Sequence, residues 1–325
     1  MATSIWFWVG FNAFVLLMLA LDLGVFHRRA HEVKLKEAAA WSAVWVTVAL
    51  LFNVAVYLYA GPQAGLEFLT GYLVEKSLAV DNIFVIAMIF SYFAVPSIYQ
   101  HRVLFWGILG ALVMRGAFIA AGAYALERWH WVIYVFGAIL LLTGIKMATR
   151  KDDEQFDPER NPVVKFARRF LPLTNRYDGQ KFWTVENGKR VATPLFLVLL
   201  LVEVTDLVFA VDSIPAIFAI TKDPFLVYTS NVFAILGLRS MYFLLAGIVH
   251  KFVYLKYGLS LVLVFVGAKM LLLDVYKVPT TVSLGVIATL IGGSIAASHW
   301  ADRRKRSAGG ADGRDVGGRD VGGRD

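Results

Sequence analysis

Two short acidic motifs of nearly the same sequence interrupt long apolar stretches of this chain. The first lies at residues 75–84 and the second at residues 206–215. In both, an acid stands six positions before the Asp of an Ala-Val-Asp-(Asn/Ser)-Ile segment. A carboxylate at the centre of a bilayer costs at least about 2.5 kcal/mol, so it is rare without a functional role. Two matched motifs predict a duplicated unit whose copies converge on one polar site.

The apolar content of the chain predicts a polytopic, all-α membrane protein. Hydrophobic residues make up 58% of the 325 residues, whereas roughly 45–50% is usual in soluble domains. Stretches of about 20 apolar residues, the length that crosses a bilayer, recur along the chain. We predict about nine transmembrane helices, at 5–26, 39–60, 77–95, 103–125, 131–149, 195–220, 227–249, 257–276 and 278–298, with 65–75 either a short entry segment or an extension of the third.

The distribution of basic residues predicts the orientation of these helices. Of the 32 Lys and Arg residues, 24 fall in segments 27–37, 99–102, 150–193, 250–257 and the tail from 299. Basic loops stay on the cytoplasmic side, so the amino terminus is expected outside and the carboxyl terminus in the cytoplasm. The first span is interpreted as a retained anchor. Membrane lipid is therefore the expected environment, and the net charge of +8 does not require a nucleic-acid partner.

The repeat extends beyond the acidic motifs. Arg115 and Arg239 lie midway along the fourth and seventh spans, and Gly144-Ile145-Lys146-Met147 matches Gly267-Ala268-Lys269-Met270. Because the third and sixth spans start on opposite sides, the two three-helix copies are predicted to be inverted, as in many transporters. The predicted organisation is two auxiliary helices (1–62), first repeat (63–149), cytoplasmic loop (150–193), second repeat (194–277), final helix (278–300) and disordered basic tail (301–325).

The loop 150–193 has two interpretations. Its run 163–171 carries Lys165, Arg168 and Arg169 and fits an interfacial helix on the anionic inner leaflet. A solvated connector that helps to set topology is the simpler alternative.

The acids of the two motifs favour a hard cation. Five carboxylates and four neutral oxygen donors lie in or near the motifs, and no His is close. Such oxygen donors suit Mg²⁺, Ca²⁺ and Mn²⁺ and do not separate them. The predicted metal-binding residues are Asp81 and Asp212 at the centre, with Glu75, Asp206 and Glu203 around them. The neutral oxygen donors that support them are Asn82, Ser213, Ser77 and Thr205.

Helix geometry limits how these acids can share one ion. Residues six apart, such as Glu75 and Asp81, are about 120° apart and ~9 Å along a regular helix. We expect Pro215 to break its helix and to free the carbonyl of Val211 for coordination.

The alternative is an ion-pair lattice that only holds the helices together. Arg115, Arg239, Lys146 and Lys269 could neutralise four of the five acids, and we expect both arginines to pair with motif acids. The two lysines lie near span ends, where they could instead extend to the interface. Asp22 is a weaker candidate that could cap the first span or pair with Arg28 or Arg29.

No enzyme motif accompanies the acidic site. The chain has no cysteine, and it lacks a nucleophile elbow, a phosphate-binding loop and HExxH. We therefore expect neither enzymatic activity nor a resident cofactor.

Three segments resemble the TerC family of integral membrane proteins. They begin at Leu21 (LDLGVFHR), at Glu75 (EKSLAVDN) and at Glu203 (EVTDLVFAVDSIP). The resemblance implies a bacterial inner-membrane protein that exports Mn²⁺ from the cytoplasm, with the intramembrane acids as the path. The same acids can bind protons, so proton exchange is an associated expectation. A membrane scaffold that carries no ion flux, acting through the 150–193 loop and the tail, is the alternative.

Overall fold

A computed structural model describes residues 4–21, 34–149, 162–186, 188–245 and 254–312. This part of the chain contains eleven helices and one small sheet. The helices are α1 Ile5–Leu21, α2 Leu35–Ala60, α3 Pro62–Tyr92, α4 Ser97–Arg128, α5 Val132–Thr149, α6 Pro162–Phe170, α7 Pro194–Phe218, α8 Pro224–Leu236, α9 Leu238–Leu245, α10 Leu255–Leu271 and α11 Thr280–Asp312. The strands are β1 Trp183–Glu186 and β2 Lys189–Ala192.

The helices have the length and surface of membrane spans. Five of them, α2, α4, α5, α7 and the Thr280–Ala301 part of α11, are long and apolar enough to cross a bilayer, and α1 and α8 are shorter apolar helices. Large apolar side chains such as Leu58, Val113 and Leu142 lie exposed on their outer faces. Exposed apolar surface of this extent is suited to lipid and not to water. The predicted all-α, polytopic membrane architecture is therefore confirmed, with β1 and β2 as its one short sheet in the described residues.

The third span begins earlier than the sequence pattern predicted. Helix α3 starts at Pro62, directly after Gly61, whose φ of 94° ends α2. Gly favours such a positive φ, and Pro is well suited to the first turn of a helix. Residues 65–75 therefore extend the third span, and Glu75 and Lys76 lie in the middle of α3 rather than at its end.

The predicted helix break lies at a different place. Helix α7 continues through Pro215 to Phe218, so the expected break at Pro215 is wrong. Proline removes one helical hydrogen bond, and here it does so in the last turn. The seventh span is broken instead, because α8 ends at Leu236 and α9 starts at Leu238. Lys76 Nζ donates to the carbonyl of Ala234 at 3.2 Å, which gives one carbonyl of the last α8 turn a partner.

The helices of residues 62–149 pack reciprocally on those of residues 194–271. Helix α3 packs against α8 and α7, α4 packs against α7 and α8, and α5 packs along α10. The α5–α10 pair is antiparallel, because Gly137 lies beside Met270 and Leu271 while Gly144 lies beside Ser260. The acids of both motifs therefore lie on helices, α3 and α7, that contact each other.

The described part of the predicted loop, from Pro162 onward, is folded onto one end of the bundle. Helix α6 occupies the run for which an interfacial helix was predicted, and β1 pairs antiparallel with β2. The Tyr177 hydroxyl donates to the carbonyl of Phe93 just after α3, at 2.7 Å. A cavity of about 560 Å³ lies between α6, residues 171–177 and the adjoining ends of α3 and α7. At the other end of the sequence, α11 continues to Asp312, so the segment predicted as a disordered tail begins as helix.

Candidate functional site

Arg115 is the centre of a buried polar cluster that joins the two acidic motifs. It lies midway along α4 and is only 1% exposed. Its Nε and Nη2 atoms donate to the two carboxylate oxygens of Asp206 at 3.0 and 2.8 Å, and its Nη1 atom pairs with Glu75. The predicted pairing of Arg115 with motif acids is confirmed. Glu75 and Asp206 occupy the same position in their motifs, so one guanidinium bridges matching acids.

Two neutral side chains complete the surroundings of Arg115. Ser213 Oγ and Asn231 Oδ1 each lie 3.3 Å from Nη1. Ser213 was predicted from the second motif. Asn231, on α8, was not, although a lone Asn within an apolar helix is itself an indication of a polar interior.

The cluster has more negative than positive charge. Two carboxylates share one guanidinium, so the ionised group carries a net charge of about −1. Within the described residues, Glu75 Oε2 and Asn231 Nδ2 are buried without a hydrogen-bond partner. Buried polar atoms are costly when unsatisfied, so the cluster has the capacity to take up a further polar group.

Glu203 lies beside this cluster. It precedes Asp206 by one turn of α7, and residues three apart share a helix face. Its carboxyl group packs on Gly110 of α4 so closely that a Cβ atom at position 110 would overlap it. The Oε2 atom is buried and has no hydrogen-bond partner among the described residues. Glu203 therefore adds a second carboxyl group that Arg115 does not neutralise.

Asp81 and Asp212 lie outside the Arg115 cluster. Thr143 Oγ1, on α5, donates to Asp212 Oδ1 at 2.8 Å. Lys146 acts electrostatically on Asp212, and Lys256 acts on Asp81. Because α5 and α10 are antiparallel, the end of α5 that carries Lys146 lies with the start of α10 that carries Lys256. Asp212 therefore lies against the part of α5 that packs on the start of α10.

The predicted ligands do not meet at one point. The described residues contain no group of three or more His, Asp or Glu side chains arranged to hold a metal ion. Glu75 and Asp81 remain separated along a continuous α3, as the helical spacing predicted. The acids therefore form a series of polar positions between α3, α4, α5 and α7, with Arg115 bridging two of them.

The remaining candidates have different surroundings. The Ser77 hydroxyl donates to the carbonyl of Leu73 in its own helix, and Lys269 is buried and donates to Ser283 of α11 at 3.0 Å. The structure leaves Lys146 exposed, buries Asn82 and Arg239, and partly buries Thr205. Asp22 lies outside the described residues.

Comparison with known proteins agrees with this membrane architecture. The model of the family described as "Integral membrane protein TerC family" matches residues 60–306. A Myxococcus xanthus protein named "Uncharacterized membrane protein STKORF319" is 60% identical over 291 residues, which are 90% of this chain and 91% of that protein.

A second relative has a name that refers to function. The Escherichia coli K12 protein named "Putative membrane-bound redox modulator Alx" is 52% identical over 307 residues, which are 91% of this chain and 95% of that protein. No solved structure matches the chain. The extent of the family match and of these identities shows that the chain belongs to the TerC family of integral membrane proteins.

Proposed function

We propose that this protein exports Mn²⁺ from the cytoplasm through the acidic positions between α3, α4, α5 and α7. The observation that carries the proposal is the excess of buried carboxyl groups over the one guanidinium that bridges them. A buried carboxylate without a partner must bind a proton or a cation. In the proposed transport, the cation is the exported Mn²⁺ and the proton is the ion exchanged for it.

The donor atoms determine the class of ion. Every candidate ligand is a carboxylate, hydroxyl or amide oxygen, a set that suits hard divalent cations. The choice of Mn²⁺ within that class rests on the family resemblance. We assign ion binding to Asp81 and Asp212, which keep their carboxyl groups outside the Arg115 cluster. Glu75, Asp206 and Glu203 then hold the ion in transit or a counter-proton.

An inverted repeat of three plus three helices provides the proposed framework. The reciprocal pairing of α3 with α8 and of α4 with α7 supports it, as does the antiparallel α5–α10 pair. In this framework Arg115 and Arg239 occupy equivalent positions. Helix α4, which carries Arg115, is continuous, whereas the span that carries Arg239 is divided at Gly237 into α8 and α9. We place the amino terminus outside and the carboxyl terminus in the cytoplasm, following the loop charges.

The name of the Escherichia coli relative points to redox function. This chain has no cysteine, so it cannot exchange electrons through a thiol. A change in cellular manganese would alter redox balance indirectly, so an indirect redox effect is compatible with manganese export.

Elemental analysis of cells tests the proposal. Cells expressing the wild-type chain under excess manganese are expected to hold less manganese than cells expressing Asp81→Asn with Asp212→Asn at matched membrane levels. Magnesium and zinc should stay unchanged, because the proposed cargo is Mn²⁺. Equal manganese in both cell lines would contradict export and favour a scaffold that carries no flux.

A second prediction concerns the contact between Gly110 and Glu203. Gly110→Ala places a methyl group where the Glu203 carboxyl group lies, so this carboxyl must move away from α4. We expect manganese export to fall at least several-fold while the protein still reaches the membrane. Gly116→Ala on the same helix is the matched control, because its Cβ atom would meet only the ring of Tyr228, at an ordinary 3.4 Å. Equal export by both variants would remove Glu203 from the path.

A further inference from the structure

Helix α6 presents three different faces to its surroundings. Val164 and Ala167 are buried against the bundle, whereas Phe166 and Phe170 are 64% and 62% exposed. Residues four apart lie on the same side of a helix, so the two Phe rings form one stripe, with ring centroids 4.4 Å apart. Lys165 and Arg169 are exposed on the remaining side. The helix therefore has a protein-facing side, an aromatic side and a basic side.

The position of α6 places these faces at the boundary of the membrane. Val164 and Ala167 belong to the same buried cluster as Leu195 and Leu197, which lie in the first turn of the membrane-spanning helix α7. The cluster also includes Val95, three residues after the end of α3. Helix α6 thus lies at the depth where two spans reach the edge of the hydrocarbon, not out in the loop.

The segment around α6 is fixed to the bundle rather than loosely attached. The Tyr177 hydroxyl donates to the carbonyl of Phe93 at 2.7 Å. The guanidinium of Arg102, near the start of α4, lies 5.1 Å from the ring centroid of Phe182. With Val164 and Ala167 buried against the same bundle, α6 is seated with its aromatic stripe facing outward.

We propose that α6 lies in the interface of the adjoining leaflet and binds anionic phospholipid. Phe166 and Phe170 enter the boundary between headgroups and acyl chains, as the aromatic side of an interfacial helix does. Lys165 and Arg169 then lie at headgroup level, where basic side chains attract anionic lipid. Arg169 also extends over the Phe170 ring, 5.8 Å from its centroid, which keeps the charge beside the aromatic stripe. The proposed contact between α6 and lipid does not depend on which ion is transported.

Spin labelling in nanodiscs tests the lipid contact, because a chain without cysteine allows single-site labels without background. A label at Phe166→Cys should collide more with oxygen than with a polar nickel chelate. Its preference should have the same sign as that of a label at Leu142→Cys, which is exposed on the membrane span α5, and should be smaller because position 142 lies inside the span and not at its edge. A label at Val185→Cys, equally exposed on β1, should show the opposite preference. If position 166 behaves like position 185, lipid contact is excluded and the stripe is left for a protein partner.

The lipid charge is tested by a second arm with Lys165→Gln and Arg169→Gln together. In discs that contain phosphatidylglycerol, this change should shift the label at position 166 toward the nickel chelate. In discs of phosphatidylcholine alone it should have no effect. The same shift in both lipids would overturn the recognition of anionic headgroups. A label at Phe170→Cys repeats the comparison, and a monodisperse elution peak in detergent confirms that each variant is folded.

Discussion

Replacing Arg115 with methionine is expected to lower the free energy of unfolding by about 3–5 kcal/mol, the typical cost of removing one partner from a buried salt bridge. Arg115 is the positive group that pairs with both Glu75 and Asp206. Without it, two carboxyl groups would remain in a low-dielectric interior and would lose the cation that they share. Methionine has a similar length and no charge, so the change tests the loss of charge rather than of volume.

Reversible unfolding in mixed detergent micelles, followed by tryptophan fluorescence, would measure this loss. Arg128→Gln is the matched control, since Arg128 is exposed in the last turn of the same helix. We expect it to change stability by no more than about 0.5 kcal/mol. Equal effects of the two substitutions would show that Arg115 is not the electrostatic centre of the cluster.

A compensated variant separates stability from function. Arg115→Met combined with Glu75→Gln and Asp206→Asn removes the charge of the whole group, and replacing a complete buried ion cluster by neutral groups is often tolerated. We expect this variant to recover most of the lost stability and to leave manganese export impaired. Full export by the compensated variant would restrict the cluster to a structural role.

The sequence predicted that Arg115 would pair with acids of the two motifs, because a charge in an apolar span needs a partner of opposite charge. It did not predict that Glu75 and Asp206, rather than Asp81 and Asp212, would be those partners. The position of Asn231 could not be predicted in the same way. A neutral amide has no obligatory partner, and its proximity to Arg115 depends on how α8 packs across α3 and α4.

The helix break was predicted at the wrong residue for a related reason. Proline is the strongest local breaker, yet Pro215 lies so near the end of α7 that its missing hydrogen bond costs little. The observed break lies at Gly237, where a residue distant in sequence, Lys76, donates to a carbonyl of the last α8 turn. The third span was predicted to start at residue 77, which placed the charged Lys76 in a loop. The local signals for the true start of α3 were Gly61 and Pro62.

Replacing Gly267 with alanine is expected to destabilise the protein by about 1–3 kcal/mol, the usual cost of overpacking a close contact. A Cβ atom at this position would lie 2.7 Å from the backbone nitrogen of Leu141 and 2.8 Å from the carbonyl oxygen of Gly137. Both neighbours are backbone atoms, so α5 and α10 would have to separate.

The opposite expectation holds for Gly285→Ala in α11, where no atom lies within 4 Å of the added Cβ. Alanine is favoured over glycine within a helix by up to about 1 kcal/mol, so this control should be neutral or stabilising. Thermal denaturation followed by tryptophan fluorescence would compare the two variants. If Gly267→Ala is as stable as Gly285→Ala, the close α5–α10 contact is not a source of stability. If it is less stable, the close approach of α5 and α10 is a source of stability, because Gly144 and Gly267 each lie against backbone atoms of the opposite helix.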